Sequence, residues 1–272
     1  MNRIHILPFG LLTLLLPVLF SCEEVIHLDL KNTAPRMVID ATLNATSGRC
    51  LVRVSKSLDF YQTDTAVAQK GALVDLISDS GNVYPLAEIS PGLYSADQLT
   101  VKPGALFKLS VNISADEKYM AQTIVPVPVY LDSLKIARGF GDPRPTSPPV
   151  YLINPKWRDP ADMANYYRFK VLKNGKSRNG SFNITNDAQF NGTEVDMPLY
   201  QYYFELGDTV SLEFQSIDSV SYSYFNQVND MARPSFVSAT PYNPIGNFDH
   251  GALGYFGIYW TETWDLMIST GR

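Results

Sequence analysis

The segment Leu106–Ile113 alternates without a break: Phe107, Leu109, Val111 and Ile113 fall on one side, Leu106, Lys108, Ser110 and Asn112 on the other. Successive side chains of a strand point to opposite faces, so this period of two predicts a half-buried antiparallel strand and excludes a helix. Met37–Leu43 repeats the pattern, with Met37, Ile39, Ala41 and Leu43 on one face. Comparable runs occupy Leu51–Leu58, Ala72–Ser78, Val83–Ile89 and Tyr119–Val125. Turn formers separate them: Asn44–Gly48, Asp79-Ser80-Gly81-Asn82, Ser90-Pro91-Gly92 and Lys102-Pro103-Gly104. Short strands between regular turns predict a β-sandwich of immunoglobulin-like or transthyretin-like architecture over residues 26–125. The Cys…Trp…Cys pattern of antibody domains is absent.

Val125-Pro126-Val127-Pro128-Val129 then interrupts the pattern. Alternating prolines fix φ and favour a stiff extended connector, so residues 126–130 read as a linker before a second β-rich domain, 131–272. The region after residue 125 holds all three Trp and 12 of the 16 Tyr. Strands are expected at Tyr166–Leu172, Tyr200–Leu206, Val210–Phe214 and Leu253–Trp260, with Asn174–Asp196 as a hairpin tip or large loop. One helix is expected, capped by Asp218 or Ser219, with Val220, Tyr224, Phe225, Val228 and Met231 at helical spacing and a stop at Pro234. The expected fold class is all-β: two β-sandwich domains, the second with one short helix inserted.

The N-terminus carries a different signal. Arg3 precedes an uncharged apolar run from Ile6 to Phe20. That run is too short to span a bilayer and has the length of a signal-peptide core, so residues 1–21 are set aside from the fold. Leu19-Phe20-Ser21-Cys22 resembles a bacterial lipobox. The resemblance implies that Cys22 takes a diacylglyceryl thioether and becomes the mature N-terminus, with residues 22–25 as the lipidated start. A thiol is required because its sulfur is the nucleophile. Glu23 and Glu24 resemble the sorting signal of surface-displayed lipoproteins of Bacteroidota, without the Lys that would precede it.

Removing residues 1–21 removes one basic group, leaving 21 basic and 27 acidic residues. No basic stripe exists to neutralise phosphates, which argues against nucleic acid and against peripheral binding to anionic lipid. Cys22 and Cys50 are the two cysteines. With Cys22 acylated, Cys50 has no partner and reads as a small core residue.

Chemistry-bearing motifs are sparse. His27 and His250 are not in a metal-ligand spacing, no Ser sits in a nucleophile elbow, and no phosphate-binding glycine loop occurs. No metal and no cofactor are expected. Asp249-His250 mimics half a triad but reads as a loop pair. The oxygens of Asn183, Asn186, Asp187, Asn191, Glu194 and Asp196 could serve calcium, yet the segment matches no EF-hand and reads as a solvated loop. The aromatics are the remaining candidates for ligand or partner contact: Tyr200 and Tyr202 on one face of a strand, Tyr166 with Arg168, and Trp260. For each, core packing competes with exposure. The Pro-rich stretch Gly141–Pro149 is a further candidate, too long and polar for mere connection.

Five stretches in order, "SCEEVIHLDL", "DSLKI", "DPADMANYYRF", "GDTVSLEFQSIDSVSYSYF" and "NPIGNFDHGALGYFG", resemble a family of Bacteroidota outer-membrane lipoproteins, domain-of-unknown-function family 4249. Gly251-Ala252 departs mildly from its last motif, which usually has two glycines there. The resemblance implies a lipoprotein of the outer membrane, often encoded beside TonB-dependent transporters, and supplies no catalytic residues. The expected function is therefore non-enzymatic: an accessory or ligand-capture component of such an uptake system, held by lipid on Cys22, with an oligosaccharide or peptide as ligand. A structural or adhesive surface protein is the alternative, and a hydrolase with an unfamiliar site the third reading.

Overall fold

The computed structural model describes residues 35–58, 66–140, 148–177, 182–232 and 242–269. The alternating segments of the first half form β1 (Met37–Asn44), β2 (Arg49–Lys56), β3 (Val67–Ala68), β4 (Leu73–Ser78), β5 (Val83–Ser90), β6 (Leu93–Ala96), β7 (Leu106–Asn112) and β8 (Lys118–Ile124). Their inward residues are those the period assigns: Met37, Ile39, Ala41, Leu43, Phe107, Leu109 and Val111 are all buried. Turn chemistry joins the strands. Asn44 Oδ1 accepts the amides of Thr46 and Ser47, and Gly48 at φ 65° lets the chain pass Leu99.

The second half contributes β9 (Leu131–Arg138), β10 (Tyr151–Arg158), β11 (Tyr166–Lys173), β12 (Lys176–Ser177), β13 (Asn183–Asn186), β14 (Glu194–Asp196), β15 (Thr209–Ile217), α1 (Ser219–Ala232) and β16 (Leu253–Met267). The described residues are mainly strand with one short helix, so the protein is all-β.

Two sheets result. The larger runs β12-β11-β15-β16-β1-β2-β6-β5-β4-β7-β8, with β13 on β11 and β3 on β2; the smaller is β14-β10-β9. The large sheet curls so that β4 and β7 face β1 and β2, and one core fills the gap with Ile39, Val52, Leu76, Leu109 and Phe256. A second core lies between β11-β15 and the small sheet. Trp157 is its centre, with ring centroids 5.2 Å from Tyr167, 5.8 Å from Phe169 and 5.3 Å from Phe214. Tyr167 and Phe169 of β11 and Phe214 of β15 pack around it, beside the aliphatic Val171, Val210 and Leu212.

The two cores share a strand. β16 pairs in parallel with β1, Ile39 opposite Gly254, and antiparallel with β15, Leu212 opposite Trp264. Phe256 and Ile258 enter the first core, Ile268 the second. The proline connector is stitched to this strand and to β15: Trp260 Nε1 donates to the Pro126 carbonyl at 2.8 Å, Val129 N to Ser216 Oγ at 2.9 Å and Leu131 N to Glu262 Oε2 at 2.8 Å. Residues 126–130 thus separate two cores within Ala34–Arg272, which form one compact unit.

Three local expectations are corrected. The stretch Tyr200–Leu206 is not a strand; it turns at Tyr200-Gln201 and joins the small sheet through a bridge between Phe204 and Tyr151. The Asn174–Asp196 loop contains β13 and β14, whose polar residues pair with β11 and β10 at sheet margins. α1 begins at the Asp218 cap and buries Phe225 of the expected stripe, but its other buried residues are Ser221 and Asn229, while Val220, Tyr224 and Val228 are half-buried and Met231 is exposed. The surface beneath it explains the rotation. A Cβ on Gly257 would lie 2.0 Å from Ser221 Oγ, so a small residue meets a glycine, and Asn229 bonds both backbone groups of Phe182. Pro234 and residues 141–147 of the Gly141–Pro149 stretch lie outside the described residues. Cys50 is fully buried, and burial pushes its thiol up to about 12.

Candidate functional site

The turn after β11 is two residues long. Asn174 and Gly175 both take positive φ (52° and 71°), the geometry that matches strand twist in a tight hairpin, and Lys173 then stands directly opposite Lys176. Beside this hairpin the segment after Leu199 folds back: Tyr202 N donates to the Leu199 carbonyl, and Phe204 exchanges 2.8 Å bonds with Tyr151. Between hairpin and segment lies a cavity of about 430 Å³, lined by Tyr202, Tyr203, Phe204, Lys173 and Lys176 among others.

The walls are held from behind. Phe204 is buried and anchored in the second core, while Tyr203 is 43% exposed and packs beside Gly139, where a Cβ would stand 3.4 Å from its Cε1. Lys173 passes 5.9 Å from the Phe204 ring centre; its Nζ reaches Asp208 Oδ2 at 2.7 Å and the Tyr203 carbonyl at 3.4 Å. Burial alone would raise the Asp208 carboxyl. The Glu205 amide, the Lys173 ammonium and the Asn174 amide outweigh it and hold that carboxyl below its ordinary value.

Tyr166 and Arg168 lie on the other face of β11 from Tyr167 and Phe169, under α1. The Tyr166 ring packs against that of Tyr222, centroids 4.9 Å apart and planes tilted by 35°. The Arg168 guanidinium carbon sits 4.8 Å from the Phe182 ring centre and 4.6 Å from that of Phe225. Burial pulls this guanidinium below its ordinary value. These contacts pin helix to sheet. Tyr166 also lines a second cavity, of about 520 Å³, with Ile124, Val127 and Met163 in its walls and Asp218 beside them. Asp218 is nine-tenths enclosed: Oδ1 accepts the Ser221 amide at 2.6 Å, and Oδ2 accepts the Ile258 amide. Burial pushes its carboxyl up to about 6, against these bonds and those of the Ser221 and Thr123 hydroxyls.

The family described as Domain of unknown function (DUF4249) matches residues 23–263. The chain belongs to this family. No curated protein matches it.

In this DUF4249 member the aromatics proposed from sequence divide by role. Tyr202 lines the aromatic–lysine cavity; Tyr200 is 54% exposed at the turn that precedes it. Tyr166 and Arg168 serve the helix contact. Trp260 is half-buried against the first core, with its N–H spent on Pro126. Cys22 lies outside the described residues. Asp249 ties its loop to β8, accepting Met120 N at 2.7 Å, and His250 Nδ1 lies 3.1 Å from the same carboxylate, fixing a loop corner. The Asn/Asp-rich segment spends its oxygens internally: Asp187 accepts Asn165 N, Asn186 accepts Ala188 N, and Glu194 pairs with Lys156. Among the described residues no group of three metal-ligating side chains occurs, and no helix is long and apolar enough to cross a membrane.

Sequence reasoning missed Tyr203, Phe204, Lys173 and Lys176 as cavity residues. A strand over Tyr200–Leu206 sends Tyr203 to the opposite face from Tyr202, whereas a turn brings both to one wall. The Asn174-Gly175 dipeptide was the available signal for the hairpin.

Proposed function

We propose that this DUF4249 member is a lipid-anchored, non-enzymatic capture protein of the bacterial outer membrane, serving an uptake system such as a TonB-dependent transporter. The observation that carries the capture reading is the cavity beside the β11–β12 hairpin. Its size and its mixture of ring walls with a few placed polar groups suit a small ligand or the end of a longer chain. Flat phenol rings there can stack against the apolar face of a sugar.

Two observations support the anchor. The family match opens at residue 23, immediately after Cys22. The stretch from Cys22 to Ala34 reaches about 40 Å at full extension, enough to hold the folded unit beside a membrane partner at high effective concentration. Support for a non-enzymatic role comes from the titratable groups. Asp218, Asp208, Asp159 and Asp249 are each committed to backbone amides or structural partners.

A glycan and peptide array probed with the mature chain tests the capture reading. A specific hit is expected, weakened at least about tenfold by Tyr203→Ala with the melting temperature unchanged, since that ring is partly exposed. An array without hits, or a hit indifferent to Tyr203→Ala and Tyr202→Ala, would contradict it.

A further inference from the structure

The hairpin carries a feature that packing does not require. Lys173 and Lys176 face each other directly across a two-residue turn. Like charges in that position destabilise a strand pair. Lys173 is relieved by Asp208 at 2.7 Å. Lys176 is exposed and makes no ion pair among the described residues, yet it lines the same cavity as Tyr202, Tyr203 and Phe204. Among the described residues the cavity therefore presents aromatic walls, an ammonium paired with a carboxylate and a second ammonium without an ion pair.

We infer that this cavity takes a sugar ring bearing a single carboxylate, a uronic acid or a chain of them, with Lys176 as the residue that selects the acid. The inference rests on the capture reading and names its ligand class. The rings supply a surface for the apolar face of the sugar, which holds any hexose similarly. Charge then decides among hexoses. The Lys176 ammonium, without an ion pair among the described residues, matches one negative charge, whereas a doubly charged phosphate monoester would leave a charge uncompensated beside the Asp208 carboxylate. Lys173 cannot serve both partners, because its ammonium is held between Asp208 and the Tyr203 carbonyl.

The test is calorimetric titration of the mature chain with trigalacturonate and with its methyl ester, which keeps the rings and removes the charge. The acid is expected to bind about tenfold more tightly than the ester, as one charged hydrogen bond predicts. The preference should shrink with added salt. Lys176→Gln, an exposed change on a sheet margin, should erase the preference while leaving ester binding intact. Lys176→Arg should retain it. Equal affinity for acid and ester, or a preference that survives Lys176→Gln, overturns the assignment and leaves capture standing on the array result. Binding of neither probe also overturns it. In that case Lys176 acts only to block edge pairing of the terminal strand.

Discussion

Gly254→Ala is expected to lower the stability of the folded unit by about 3–5 kcal/mol, among the largest effects available to a single methyl group. Gly254 opens β16 at φ 93°, where a side chain is strained in its own right by about 1–2 kcal/mol. It also faces Ile39 in the parallel pairing with β1, and a Cβ would sit 2.1 Å from the Ile39 carbonyl oxygen and 2.7 Å from its carbon. Both are backbone atoms, so relief requires the two strands to separate. This pairing joins the first core to the strand that also serves the second. Gly81→Ala is the internal comparison: φ is 83°, yet nothing lies within 4 Å of the added methyl. It should lose only about 1 kcal/mol, so the difference between the two variants measures close approach rather than strain. Urea denaturation followed by far-ultraviolet circular dichroism reads both.

Asp218→Ala should have a comparable effect, about 3–5 kcal/mol, through a different mechanism. The carboxylate caps α1 through the Ser221 amide and holds the Ile258 amide of β16. Truncation orphans both donors in a buried site and removes the cap. Its pH dependence has a definite sign. The folded carboxyl titrates near 6, against an ordinary value of 3.8. The native state therefore binds a proton more readily than the unfolded chain between those values. The stability linked to this group rises as pH falls through 6 towards 4, by about 2–3 kcal/mol. Asp208 has the opposite sign. Its depressed carboxyl stabilises the fold above its unfolded value and loses that contribution as pH falls below it. Denaturation of Asp218→Asn across pH 4–7 should lack the rise on acidification that the parent protein shows. A parent whose stability falls monotonically from pH 7 to pH 4 in parallel with the variant would contradict the Asp218 assignment.

β1, β2, β4 and β7 are legible because one face of each is buried and the other is wetter, so hydrophobic period and turn residues agree. That agreement fails in two places. β10 carries Pro155 inside a run that includes Asn154 and Lys156, and a proline argues against a strand in sequence. It is tolerated within a three-stranded sheet where β10 pairs with β9 and only a short β14. The union of β1 with β16 is invisible for another reason. A parallel pair between residues 38 and 253 leaves no local trace; Gly254 marks it, as a position where the backbone of β1 approaches closely.

The candidate site shows the same limit. That aromatics of the second half divide between core and surface follows from their number. Which ones face out depends on whether Tyr200–Phe204 turns or extends, and the bridge from Phe204 to Tyr151 decides that. Alternation alone could not give it. Arg168, isolated in sequence among tyrosines, turns out to be a rivet beneath α1.

Mass spectrometry of the protein extracted from membranes of its native host tests the proposed role most directly. The predicted result is a mature chain that starts at Cys22 and carries a diacylglyceryl group on that sulfur. A mature chain with a bare Cys22 thiol, or one that still bears residues 1–21, would contradict it.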